Sequence, residues 1–402
     1  MVEQQCLLSA LLMALCFSQS GFAQHRVGAD DEQARAQAVI VDNQPLLHTR
    51  QIFPVDAEGN ALAANDVAAQ TKAVLDKLAE IIYVSESSLN DVVKLNLYVR
   101  DELDVPTIAR EINARWQEEN LPAVMWVQTP LPLANARLAV DAVAIAHLND
   151  SLTEVVRAEI KGDHTAPVSD WTILPTGRAV YIAGQAEPGK TLAEATTKTL
   201  ESLHRTLAFM ELGDQHVVQI KTFLNPMSQV KEVDEAIVEF YKSRSLPPVS
   251  HVEWSSKGAI EIEMIAYVPA DHQAIPADDP VVYLTPTRMT SSPVFSRIAV
   301  INSTRKIYIS GLTARTDGDG DHEVRDIFAQ LSDTLHNSQS SLRHLVKATY
   351  YVSGNDSSTQ LNALRPMYYD PKRPPSASKA PVQGVGFRAR TLSIDLIAVP
   401  AE

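Results

Sequence analysis

Three observations predict an α+β protein made of three tandem copies of one domain, each a mixed sheet with two helices on one face. First, an apolar strand motif occurs three times, as Val92-Val93-Lys94-Leu95-Asn96-Leu97-Tyr98-Val99, as Val217-Val218-Gln219-Ile220-Lys221-Thr222-Phe223-Leu224, and as Leu345-Val346-Lys347-Ala348-Thr349-Tyr350-Tyr351-Val352. The intervals are 218 − 93 = 125 and 346 − 218 = 128 residues, the size of a whole domain rather than of a solenoid repeat. Second, a proline segment follows each copy in the same order: Leu121-Pro122-Ala123-Val124-Met125, Leu246-Pro247-Pro248-Val249-Ser250 and Pro374-Pro375-Ser376-Ala377-Ser378. Third, 402 residues exceed what one ordinary core accommodates. The domains are expected at 35–148, 153–269 and 286–401.

Each unit is expected to open with a β-hairpin. Its strands are Val39 to Val41 and Leu46 to Gln51 in the first unit, Thr172 to Leu174 and Val180 to Gln185 in the second, and Ile298 to Ile301 and Ile307 to Gly311 in the third. A helix follows in every case. Val67, Val74, Leu75, Leu78, Ile81 and Ile82 share one helical face behind an Asn65 or Asp66 cap, as do Leu192, Ala195, Thr199, Leu203, Leu207 and Met210, and then Val324, Ile327, Phe328, Leu331 and Leu335. One-sided apolar stripes lay these helices on a sheet. The central strand comes next, then a second helix over Val105 to Trp116, Val230 to Tyr241 and Thr359 to Tyr369. The proline segment leads to a final strand over Leu138 to Ile145, Ile260 to Ala266 and Leu392 to Val399. The order ββ-α-β-α-ββ describes an α+β unit. Residues 270–285, with Pro276 and Pro280 among three aspartates, are expected to form a linker, and His147 to Asp170 to serve the same purpose earlier.

The N-terminus carries an apolar run, Leu7 to Phe17, followed by Gly21-Phe22-Ala23, which reads as a signal peptide over 1–23 and predicts a secreted or periplasmic protein. Glu3, and the lack of Lys or Arg before Leu7, depart from the usual pattern. The run is too short for a permanent membrane anchor. Cys6 and Cys16 both lie within it, so a processed chain has no thiol for a disulfide, a metal site or a nucleophile. A formal charge of −14 works against a nucleic-acid partner.

The element order, the Ile182-Ala183-Gly184-Gln185 turn, the Val-Val-Lys strand, and the Pro-x-x-Ser segment followed by Ile260-Glu261-Ile262-Glu263-Met264-Ile265-Ala266 together resemble the Rid/YjgF family of reactive-intermediate deaminases, in three copies across residues 35 to 400. The resemblance implies a chorismate-mutase-like fold. Members are usually single-domain homotrimers with inward-facing sheets and a ligand cleft at each junction, so three copies in one chain imply a monomeric intramolecular pseudo-trimer. It also implies an Arg in a Pro-Ala-Arg-Ser segment that grips the substrate carboxylate. Val124, Val249 and Ala377 stand at the matching positions. The family's final-strand Glu, which handles the attacking water, maps onto Asp141, Glu261 and Ser393, and its turn Gln onto Gln51, Gln185 and Leu312.

Arg137 and Lys257 each precede the mapped acid by four residues, roughly 13 Å along a strand at about 3.3 Å per residue, from where a displaced cation could anchor an anion. The plainer reading makes both solvated charges at a loop end. Asp317-Gly318-Asp319-Gly320-Asp321 begins like a calcium loop, but His322 and Phe328 occupy the positions that need Gly and Glu, so an acidic turn is expected and no metal. His251 is the one histidine the motif places near a cleft. No dinucleotide fingerprint, P-loop or nucleophile elbow is present, and no cofactor is expected. Three readings follow: clefts that bind an unknown small molecule without the carboxylate clamp, an imine or enamine hydrolase using Glu261 and Asp141 on substrates without a carboxylate, or a non-catalytic scaffold. On any of them, carboxylated imines are expected to bind poorly, and Val249→Arg to restore the grip.

Overall fold

The structure is a computed structural model that describes residues 24–30, 35–56, 58–148, 152–158, 168–242 and 246–401. The expected signal peptide lies outside them. Each unit contributes a central strand, β4 (Val92–Val99), β10 (Val217–Leu224) or β16 (Leu345–Val352). Beside it lie a parallel strand from the proline segment, β5 (Ala123–Gln128), β11 (Val249–Glu253) or β17 (Ser376–Pro381), and an antiparallel final strand, β6 (Leu138–Ile145), β12 (Ile260–Val268) or β18 (Leu392–Ala398).

The expected hairpins do not form. The second strands β3 (Leu46–Thr49), β9 (Arg178–Gln185) and β15 (Lys306–Leu312) pair on one side with their own final strand. On the other side they pair with the first strand of a different unit. β3 takes β8 (Trp171–Leu174), with Leu46 opposite Leu174; β9 takes β14 (Ile298–Ile301), with Ile182 opposite Ile298; β15 takes β2 (Arg35–Val41), with Lys306 opposite Val41. Turn residues report only that the chain reverses, whereas the edge of each second strand is covered by its neighbour. A further strand flanks each first strand: β1 (Gln24–Asp30), β7 (Val156–Ala158) and β13 (Val281–Leu284). β1 therefore precedes the expected domain start at 35, and β7 and β13 lie in stretches expected to be connections. The three sheets repeat one order, β5-β4-β6-β3-β8-β7, β11-β10-β12-β9-β14-β13 and β17-β16-β18-β15-β2-β1, and one bridge, Ala36 to Ala123, joins the first and third. The chain closes on itself as a ring, first unit to second, second to third, third to first.

Strand alternation explains how the Val-Val doublets build this ring. Val92, Val217 and Leu345 each enter the core beneath their own unit's helices, while Val93, Val218 and Val346 meet in one core shared by all three units with Tyr181 and Tyr308. The helices α1 (Val67–Tyr83), α2 (Val105–Asn113), α3 (Leu192–Phe209), α4 (Val230–Tyr241), α5 (Gly320–Asn337) and α6 (Asn355–Leu364) cover the outer faces. Asp66 caps α1 through the Ala69 N–H. α6 starts four residues earlier than the apolar pattern places it, because Asn355, Asp356, Ser357 and Ser358 form its polar first turn, with Asp356 accepting from the Gly320 N–H, and Pro366 follows its end. The acidic segment at 317–321 is likewise a helix start rather than a hairpin turn: Asp319 caps α5 through the His322 N–H, Asp321 pairs with Arg325, and Asp317 with Arg390.

Candidate functional site

Because the strands close a ring, each cleft draws its residues from two units. Gln51 and Val249 line a cleft of about 230 Å³ between the first and second units. Gln185, Glu261 and Ala377 line one of about 600 Å³ between the second and third. Leu312 lines one of about 390 Å³ between the third and first. Val249 therefore does not share a cleft with Glu261. Ala377 holds the equivalent place there, since Leu95, Ile220 and Ala348 lie opposite Val124, Val249 and Ala377 in the same register.

Register also corrects the mapping of the acid. Tyr98, Phe223 and Tyr351 lie opposite Ala139, Glu261 and Ser393, whereas Asn96, Lys221 and Thr349 lie opposite Asp141, Glu263 and Asp395. The family position in the first unit is thus Ala139, and Asp141 belongs to a second ring of acids. Those three are buried among groups that tie units together. Asp395 accepts from Lys94 Nζ at 2.5 Å, Glu263 pairs with Lys347, and Asp141, 1 % exposed, accepts from Ser250 Oγ at 2.6 Å, from Asn96 Nδ2 at 2.6 Å and from the Tyr98 hydroxyl. Their partners make them structural.

Glu261 has a different setting. It lines the largest of the three clefts and receives a hydrogen bond from Ser378 of the third unit, whose Oγ also accepts from the Gly184 N–H at 3.0 Å. Its side chain lies so close over Gly184 that a Cβ there would stand 2.0 Å from Oε1. Only a glycine leaves this space. Burial pushes the Glu261 carboxyl up to about 7; Ser378 opposes the shift, the nearby Glu263 charge adds to it and Arg297 opposes it. A carboxyl poised near neutrality in an open cleft can both take and return a proton.

The other two junctions have lost this arrangement. Arg50 replaces the glycine in the first unit, and its guanidinium is buried against Asp170 of the second. Gln51 is engaged there too, its amide bonding the backbone N–H and C=O of His251 at 3.3 and 3.2 Å, and His251 Nε2 lies 3.1 Å from Asp234 Oδ1. At the third-to-first junction Gly311 is kept, but Met125 lies over it, with its Sδ 2.3 Å from where a Cβ would be, and Ser393 Oγ donates to that sulfur at 3.7 Å. Val124 is buried in the first unit's core.

Neither Arg137 nor Lys257 lines any of the three clefts. Arg137 pairs with Asp104 at the start of α2, and Lys257 is exposed in the loop before β12. The cations that do line the Glu261 cleft are Arg288 and Arg297 from loops, Arg365 from just past the end of α6, and Lys379 from β17. Lys379 follows Ser378 directly, which was the one sequence signal for any of them.

The profile of the family described as Endoribonuclease L-PSP matches residues 36–146, 164–268 and 285–400, most of the chain, in three copies. The chain belongs to this family. Among L-PSP relatives, the 3-aminoacrylate deaminase RutC of Acinetobacter baylyi is 31 % identical over 107 residues, 27 % of this chain and 82 % of RutC. A RutC family protein of Pyrococcus abyssi is 28 % identical over 109 residues, 27 % of this chain and 84 % of that protein. Of solved structures, the YjgF gene product of E. coli is 26 % identical and covers 30 % of this chain and 98 % of its own, with a TM-score of 0.23. A Rid family protein of Yersinia pestis, YyfB, is 24 % identical over 31 % of this chain and 99 % of its own, with a TM-score of 0.28. The threefold L-PSP match and the RutC relative establish the Rid/YjgF membership and the Rid-type fold of the three units.

Proposed function

We propose that the chain is an imine or enamine deaminase that works at one of its three junctions, with Glu261 as the acid–base group. The observation carrying this reading is the Glu261 carboxyl, held near neutral pKa by burial and positioned by Ser378 and Gly184 in the one cleft that keeps all three. In the reaction, water adds to the imine carbon while the Glu261 carboxylate takes a water proton. Returned to nitrogen, that proton completes a neutral carbinolamine; Glu261 then takes the hydroxyl proton and delivers it to the amine as the C–N bond breaks, so that a carbonyl compound and ammonia leave. One imine and one water give one carbonyl and one ammonia, with no redox partner. The first and third-to-first junctions act as structural seams, and the RutC relative, named for deamination of 3-aminoacrylate, supports the chemistry. Export through residues 1–23 and a monomeric, self-closed ring belong to the same proposal.

The test is ammonia release above the spontaneous rate from imines generated in place by an amino-acid oxidase. Wild type should accelerate release, with a rate that rises with pH through about 7 as Glu261 becomes the base. Glu261→Gln should return release to the spontaneous rate. No acceleration by wild type, or equal acceleration by Glu261→Gln, overturns the proposal.

A further inference from the structure

The Glu261 cleft inverts the charge of the protein that contains it. The chain carries −14, but the ionisable groups lining this cleft are four cations and two acids, Glu187 and Glu261, a balance of 4 − 2 = +2 with both acids ionised. Cation-lined clefts concentrate anionic ligands. The cleft between the first and second units lacks this excess, since its Arg50 is paired with Asp170 and Asp234 lines it as well.

The cations fall in two groups on either side of β17, whose successive side chains point to opposite faces. Ser378 faces Glu261 and Gly184, and the charge of Arg297 is felt at Glu261, so this is the reacting end. Lys379 points the other way, its Nζ reaching Ser358 and Asn362 of α6 at 3.1 and 3.2 Å. Arg365, just past the end of α6, is 8 % exposed; its guanidinium stacks over Tyr350 at 4.9 Å and hydrogen-bonds the Tyr350 hydroxyl, while among the described residues its Nε has no hydrogen-bond partner and no carboxylate forms an ion pair with it. Arg365 and Lys379 also repel one another. A buried cation without a counter-charge is costly, and an anion between the two relieves it.

We propose that the cleft takes a dianionic substrate, an imine with one carboxylate beside the reacting carbon near Arg297 and a second anionic group held remotely by Arg365 and Lys379. This rests on reading the cleft as the substrate site and replaces the expectation that carboxylated ligands bind poorly here. The grip lost at Ala377 is supplied from the next residue but one and from the end of α6. A cleft of about 600 Å³ has room for such a ligand.

Binding is measured by calorimetry on the full-length protein carrying Glu261→Gln, so that turnover plays no part, with 2-oxoglutarate, pyruvate and dimethyl 2-oxoglutarate as carbonyl analogues of dianionic, monoanionic and neutral substrates. The dianion should bind at least roughly tenfold more tightly than pyruvate, the scale of one charge-assisted hydrogen bond, and the diester weakest. Lys379→Met should remove most of that margin and leave pyruvate within about twofold. Arg365→Gln should do the same; because Arg365 is buried, Lys379→Met, at a half-buried site, carries the test if the arginine variant fails to fold. Equal affinity for pyruvate and 2-oxoglutarate, no measurable binding of the dianion, or an unchanged margin in Lys379→Met overturns the inference. Loss of ammonia release with the dianion preference intact overturns only the deaminase reading.

Discussion

Replacing Glu261 by Gln should make the protein more stable at alkaline pH and leave it unchanged in acid. The folded-state pKa, about 7, lies above the ordinary 4.5 of the side chain, so the folded protein holds this proton more tightly than the unfolded chain does. The associated stability is fully present below about pH 4.5 and is lost as pH rises through about 7. At 1.36 kcal/mol per pH unit, a carboxyl held at about 7 rather than 4.5 loses about 3 kcal/mol of stability, largely by about pH 8. Gln is close in shape to the protonated acid and does not ionise. Its variant should therefore match wild type near pH 4 and exceed it by about 3 kcal/mol near pH 8, which for a chain of this length unfolding as a unit is roughly 4 °C in Tm. Scanning calorimetry of both proteins at the two pH values reads this directly. A constant difference at the two pH values, or a variant less stable at pH 8, would refute the claim that burial strains the ionised Glu261.

Gly184→Ala places a methyl group where the Glu261 carboxylate lies and should push that flexible side chain aside, lowering ammonia release roughly a hundredfold, the cost of misplacing a catalytic group by about 1 Å, with little change in Tm. An unchanged rate would contradict the geometry of the cleft. Ala377→Arg should raise turnover of 2-aminoacrylate while Val249→Arg should not, because of the two only residue 377 lines the Glu261 cleft; parallel assays of the two variants decide it, and a gain from Val249→Arg would reverse the assignment of clefts. Light scattering should give the mass of one chain, since every second-strand edge is already covered within the chain; a stable trimer of chains would show that the ring closes between molecules instead.

The repeat, the fold of each unit and most element limits were legible because they rest on local signals: apolar periodicity, proline and cap residues. Val230–Tyr241 and Leu138–Ile145 fall where the pattern puts them. Pairing partners were not legible, because a strand that alternates well says nothing about which unit supplies its neighbour. The confusion of Asp141 with the Glu261 position has the same root. Residues two apart on a strand face the same way, so Ala139 and Asp141 are indistinguishable by alternation, and only the register against β4 separates them. That Val249 and Glu261 line different clefts was not legible either, because residues of one unit serve two different junctions. Arg288, Arg297 and Arg365 carried no signal at all, since what brings them together is the packing of a loop and a helix end against another unit.

Two of the three junctions in the ring are spanned by continuous chain, and one is not. The third unit meets the first through the β15 to β2 ladder, the buried Lys94 to Asp395 pair and the outer Arg305 to Asp42 pair at 2.7 Å, and no peptide bond between the units holds this seam. It works as the clasp of a necklace. When it opens, the molecule presents two complementary ends, the bare edge of β15 and the free β2 strand, and each fits the opposite end of another opened molecule as well as its own. Refolded in dilute solution the clasp should find itself; refolded in a crowd, it should link molecules head to tail.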